Sequence, residues 1–131
     1  MRLTNWQERF SDFGKSRANM PFSWGGNDCC TFAAAAVEAL TGKNPMASVE
    51  LYDSEMRAMR QVAEAGDLKA LASRYLGHPV SPLMASVGDV VLVVNESREM
   101  LAVCNGANVL APGEAGTVVL GMDVALATWK I

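Results

Sequence analysis

The stretch "DCCTFAAAAVEALTG", Asp28 to Gly42, constrains the fold more than any other part of this chain. It opens on an aspartate that can cap a helix and closes on a glycine that can stop one, and nearly every position between is apolar. A helix of that pattern has no face to offer to water, so it must be buried. Its consecutive alanines, Ala33 to Ala36, let another element approach closely. The remaining residues have to supply the layers that cover it.

Those layers can be read from the spacing of apolar residues. Leu3, Trp6, Phe10 and Phe13 recur at helical intervals with Gln7, Glu8, Arg9 and Asp12 between them, which predicts an amphipathic helix over residues 4–17, ending before Pro21. A third helix is expected from a cap at Asp53 to Gly66, and a fourth from Asp67 to Gly77, just ahead of Pro79. After "PVSPLMAS" the pattern changes to short β-rich runs. "GDVVLVV" (Gly88 to Val94) and "MLAVCN" (Met100 to Asn105) form a hairpin around the polar turn "NESRE". "NVLA", "TVVLG" and the terminal "ATWKI" supply further strands, with "APGEAG" as the turn between the first two. Helices followed by an antiparallel sheet make an α+β fold. The 131 residues, half of them apolar, suit one domain spanning 1–131, with no repeat or linker to divide it.

Charge and composition exclude several classes of function. The net charge is −3 and the basic residues are scattered, so no footprint for a nucleic-acid backbone is present. No run approaches the roughly 18 to 20 apolar residues that a membrane helix needs, and the N-terminus lacks a signal-peptide core. The expectation is a protein made in the cytoplasm, without a signal peptide, that binds neither nucleic acid nor membrane. Three cysteines, two of them adjacent, make no disulfide framework, so reduced thiols are expected.

The chemistry centres on Cys29. A thiol in the first turn of a helix sits where backbone N–H groups and the helix dipole favour the thiolate, although Asp28 beside it acts in the opposite sense. The plain structural reading is a small buried hydrophobe. Gly25 and Gly26 permit the sharp turn into the helix, and Trp24 can pack beside it. The single histidine, His78, precedes a proline at a helix end. It reads as a surface residue or a partner of the helix dipole, and is only a substitute candidate for a base beside Cys29. Cys104 shares a strand face with Met100 and Ala102 and belongs to the core. No Cys-x-x-Cys or His-x-x-x-His spacing occurs, so neither a metal nor a cofactor is expected. "GGNDC" is no phosphate loop either, since it lacks the Lys-Ser/Thr ending and carries Asp28.

Trp24-Gly25-Gly26, then Asp28-Cys29 and Phe32 at the head of an alanine-rich helix, followed later by Gly88-Asp89 opening a strand, resembles the NlpC-like cell-wall cysteine peptidases. The resemblance spans residues 21–111. It implies a compact papain-like fold with Cys29 as nucleophile and Cys30 where a serine is usual. The family's catalytic histidine opens the strand after the Gly-Asp strand, which lays Met100 on that position, and the third, orienting residue falls near Leu110 or Ala111. A thioether cannot take up a proton at neutral pH, so the base and its orienting partner are both missing from the matched positions. The whole layout, from the leading Trp helix to the closing "TWKI", resembles small NlpC-like proteins encoded among phage and prophage tail genes.

The resemblance implies a tail-tip or tail-assembly protein with a degenerate peptidase fold, located in the virion tail and bound to other tail proteins. The alternative is an active cysteine hydrolase cutting peptidoglycan peptides with Cys29. A cytosolic thiol hydrolase outside phage biology would share that chemistry.

Overall fold

The structure is a computed structural model that describes residues 1–131. Four helices come first: α1 (Trp6–Arg17), α2 (Cys29–Thr41), α3 (Glu55–Ala65) and α4 (Leu68–Leu76). Five strands follow: β1 (Val90–Asn95), β2 (Arg98–Cys104), β3 (Asn108–Gly113), β4 (Gly116–Gly121) and β5 (Ala125–Trp129). The fold is α+β, and each expected helix and strand is present. No helix is long and apolar enough to cross a membrane.

Element ends follow local chemistry. Asp28 caps α2 and Gly42 ends it in the left-handed conformation. The third helix is capped one residue later than expected: Ser54 accepts from the Arg57 N–H, while Asp53 lies in solvent facing the Arg57 guanidinium. In the hairpin, Glu96 and Ser97 both take positive φ, 53° and 64°, between the paired Asn95 and Arg98. That is the two-residue turn whose twist matches the strands, made here without the usual glycine. β3 continues through Pro112 and Gly113, so the expected "APGEAG" turn shrinks to Glu114 and Ala115.

All strand pairs are antiparallel, in the order β4-β3-β2-β1-β5. Only Met122–Val124 separates β4 from β5, yet these are the two edge strands. Flat, five strands would hold their edges about 19 Å apart. The four Cα steps from Gly121 to Ala125 reach at most about 15 Å. The sheet therefore curls towards a barrel, and the curl creates two cores. Val90, Leu92, Leu101, Val103, Ala127 and Trp129 face the helices, packing with Phe32, Ala33, Ala36 and Leu40 of α2. Val91, Val93, Ala102, Cys104, Val109 and Ala111 face the inside of the curl. With both faces covered, "VVLVV" needs no polar alternation. α1 closes the outer side of α2 through Phe13, whose ring meets Phe32 edge-on at 5.0 Å.

Candidate functional site

The Trp24–Asp28 turn is held from both sides. Asn27 is fully buried; its side-chain oxygen accepts from Arg17 Nη1 at 2.8 Å, and its amide donates to the carbonyls of Met20 and Pro21. Asp28, equally buried, accepts from the N–H groups of Gly25, Cys30 and Thr31 at 2.8 to 2.9 Å, and its own N–H donates to Thr31 Oγ1. The carboxylate is thus consumed in building the helix start. Gly25 has φ of +80°, and a Cβ there would run into the Tyr52 carbonyl oxygen. This glycine lets the segment between α2 and α3 lie directly on the turn. Trp24 stacks edge-on against Phe22 at 4.8 Å and lies under the Arg98 guanidinium, 5.9 Å from its ring centre.

Cys29 and Cys30 are half-buried in the wall of a cavity of about 290 Å³, lined by 24 residues of which 19 are hydrophobic. The walls come from α2, α3, α4, the 45–52 segment and the start of β2. The adjacent Cys30 thiol pulls Cys29 below the ordinary thiol range against the opposing effect of burial; the Leu101 backbone and the Arg98 charge add to the lowering, and Asp28 resists it. The neighbouring Cys29, with burial, pushes Cys30 well above its ordinary value. Cys30 therefore keeps its proton. Burial, with the Asp28 carboxylate second, also raises the Tyr52 phenol and keeps it neutral.

Strand parity decides which β2 side chains face α2. Met100 pairs with Val93 and packs against the inner cluster of the curled sheet, whereas Leu101 pairs with Leu92 and faces α2. Met100 and Leu101 both border the cavity, and of the two it is Leu101 that packs in the helix-side core with α2. Both candidates for the β2 position beside the cavity, Met100 and Leu101, are apolar. Leu110 packs against the helix-side core and Ala111 lies inside the curl, so neither can orient an imidazole. His78 is exposed, follows the C-cap of α4 and does not line the cavity, so the structure does not bring it to Cys29. Glu99, on the Leu101 face and nearer the mouth, is a cavity-lining carboxylate that makes no hydrogen bond. No three His, Cys, Asp or Glu side chains converge as a metal ligand set would require.

Gly88 and Asp89 lie away from this cavity. Gly88, at φ +92°, packs on Leu40, where a Cβ would crowd a methyl group. Asp89 is fully buried and binds both ends of the chain: Arg2 Nη2 at 3.1 Å, Lys130 Nζ and the Ile131 N–H at 2.9 Å, with Ser86 donating from its backbone and hydroxyl. Burial alone would raise its pKa; the hydrogen bonds from Ile131, Lys130 and Ser86 outweigh it and hold the carboxyl below its ordinary range. The Gly-Asp pair is a clamp on the two termini.

Tyr52, Arg98, Glu99 and Leu101 belong to the site without a motif to announce them. The family model described as a domain of unknown function (DUF6950) matches residues 1–131. The chain belongs to DUF6950. No curated protein matches it. The DUF6950 match takes in the Cys29 helix, the cavity and the Asp89 clamp alike, so one family domain contains both features.

Proposed function

We propose that this DUF6950 domain is a non-catalytic protein of the NlpC-like, papain-fold type, serving as a tail-tip or tail-assembly component of a phage or prophage particle and binding neighbouring tail proteins there. One observation carries the loss of catalysis. No imidazole lines the cavity that Cys29 borders: His78, the single histidine, is exposed and lies outside it. Asp28 is occupied by three backbone N–H groups. The packing of the cysteine-bearing helix on β2 supports the papain-like arrangement. The tail assignment is supported by the resemblance of the sequence layout.

The lowered Cys29 thiol favours a second reading, an active hydrolase acting on peptidoglycan peptides. Its base would have to be Glu99, the unengaged carboxylate at the cavity mouth. Phage carrying Cys29→Ala or Glu99→Gln separate the two. The non-catalytic reading expects normal tails and normal infection from both variants, with impaired assembly from Trp24→Ala, which loses the Phe22 and Arg98 contacts. Fully assembled but non-infectious Cys29→Ala particles, with muropeptide cleavage by the wild-type protein alone, would establish the hydrolase instead.

A further inference from the structure

We propose that α3 is a strap closing one side of the cavity, that it lifts while the rest of the molecule stays folded, and that the ion pair between Glu55 and Arg98 is its latch. The strap is pinned at both ends. Ahead of it, the Tyr52 carbonyl rests on the Gly25 turn. Behind it, Gly66 at φ +115° joins it to α4, which is fixed by Leu68 and Ala72 in the helix-side core and by Ser73, whose hydroxyl accepts from Trp129 Nε1 at 3.2 Å. Between the pins little holds α3 down. Ala58 is its single buried residue and belongs to neither core, and Val62 alone meets the edge of the helix-side core. Ala58, Met59, Gln61 and Val62 line the cavity of about 290 Å³ instead. A helix bordering a void has no partner atoms on that side and forfeits their dispersion attraction. Lifting it therefore costs less than withdrawing α2 from the sheet.

The hydrogen bonds divide in the same way. The Ser54 cap and the Arg57–Asp53 pair lie within the strap's own first turn, and Gln61 Nε2 donates to the Glu50 carbonyl at 3.0 Å in the segment leading into it. These bonds travel with the strap. The one bond from α3 to another layer of the fold runs from Arg98 Nη2, at the tip of the β1–β2 hairpin, to Glu55 Oε1 at 3.1 Å. Arg98 also lies over Trp24, so the latch ties the strap to both the hairpin and the turn into α2. Both side chains of the pair are largely exposed, so salt screens it and its release is inexpensive. Lifting the strap widens access to the half-buried Cys29 and Cys30 whether or not either is catalytic.

The test follows amide hydrogen exchange of the purified full chain, peptide by peptide, in the wild type and in Glu55→Gln, alongside labelling of Cys29 and Cys30 by a bulky maleimide. The α3 amides are expected to exchange at least about tenfold faster than those of α2 and β1. Glu55→Gln should raise both α3 exchange and maleimide labelling about two- to threefold, the size of one exposed ion pair, and leave α2 and the sheet unchanged. Salt at about 1 M should bring the wild type to the rate of the variant and leave the variant where it is. Exchanging the two charges, Glu55→Arg with Arg98→Glu, should return α3 exchange to the wild-type rate. Exchange of α3 as slow as that of α2 would overturn the strap. Unchanged α3 exchange in Glu55→Gln, or a rise spread equally over α2 and the sheet, would overturn the latch.

Discussion

Asp28 and Asp89 are both fully buried carboxylates within two residues of a glycine, but they are stabilised over very different distances along the chain. Asp28 takes its N–H donors from residues 25, 30 and 31, so its network closes within a single turn. Asp89 has two local donors in Ser86 but takes its cations from Arg2 and Lys130, far away in sequence, and its charge is neutralised only when those segments have packed on it. The contrast explains why one motif borders a cavity and the other does not. A locally completed turn leaves its neighbour Cys29 free to face open space, whereas a carboxylate completed by distant groups must be enclosed by them. Of two motifs that the resemblance assigns to one peptidase design, the first builds the site and the second holds the fold shut.

The largest effect is expected from Asp89→Asn. Removing one charge from a buried, multiply bonded pair costs about 3 kcal/mol, read by urea denaturation. Cys29 labelling in the folded protein stays at the wild-type rate, because the clamp and the cavity do not share side chains. A loss below about 1 kcal/mol would mean that Arg2 and Lys130 are not holding the termini as described.

Gly25→Ala should come next, at about 2 kcal/mol, since the new Cβ meets the Tyr52 carbonyl and the residue is held at positive φ. Here labelling of Cys29 by a thiol reagent should accelerate, because the segment lying on the turn is displaced. Destabilisation without faster labelling would show that the segment does not cover the thiols.

The difference between wild type and Asp89→Asn should also depend on pH. Asp89 lies below its ordinary value in the folded chain, so the stability it contributes is fully present above the unfolded-state value of about 4 and is lost as pH falls through the folded value. Thermal denaturation of both proteins from neutral pH downwards should therefore converge below about pH 4. Parallel curves throughout would break the assignment of the clamp to the ionised carboxylate. The smallest effect is expected from Cys29→Ala, under about 1 kcal/mol, because the side chain already borders a cavity and leaves little new void. A larger loss in calorimetry would make Cys29 a core residue and narrow the contrast with Asp89.

Much of the architecture was legible from local chemistry. The capped apolar helix at Asp28–Gly42, the α1 periodicity, the Asp67 cap and the five β-rich runs each depend on residues within a few positions, where propensity and capping dominate. The site was only half legible. Cys29, Asp28 and Trp24 sit in one motif, but Tyr52 reaches the turn from the segment between α2 and α3, and Arg98 and Glu99 reach the cavity from the start of β2. No short window joins those residues.

The sequence by itself determined which segments are helices and strands, which helix must be buried, and that a thiol begins that helix, because these follow from side-chain chemistry within one or two turns. Only the tertiary structure decided which β2 side chains face α2, since a shift of one residue in a strand exchanges one face for the other; Leu101 packs on the helix side and Met100 on the inside of the curl. It also decided that Asp89 binds the termini, because its partners lie 87 and 41 residues away and meet it only once the sheet has curled and both ends have packed.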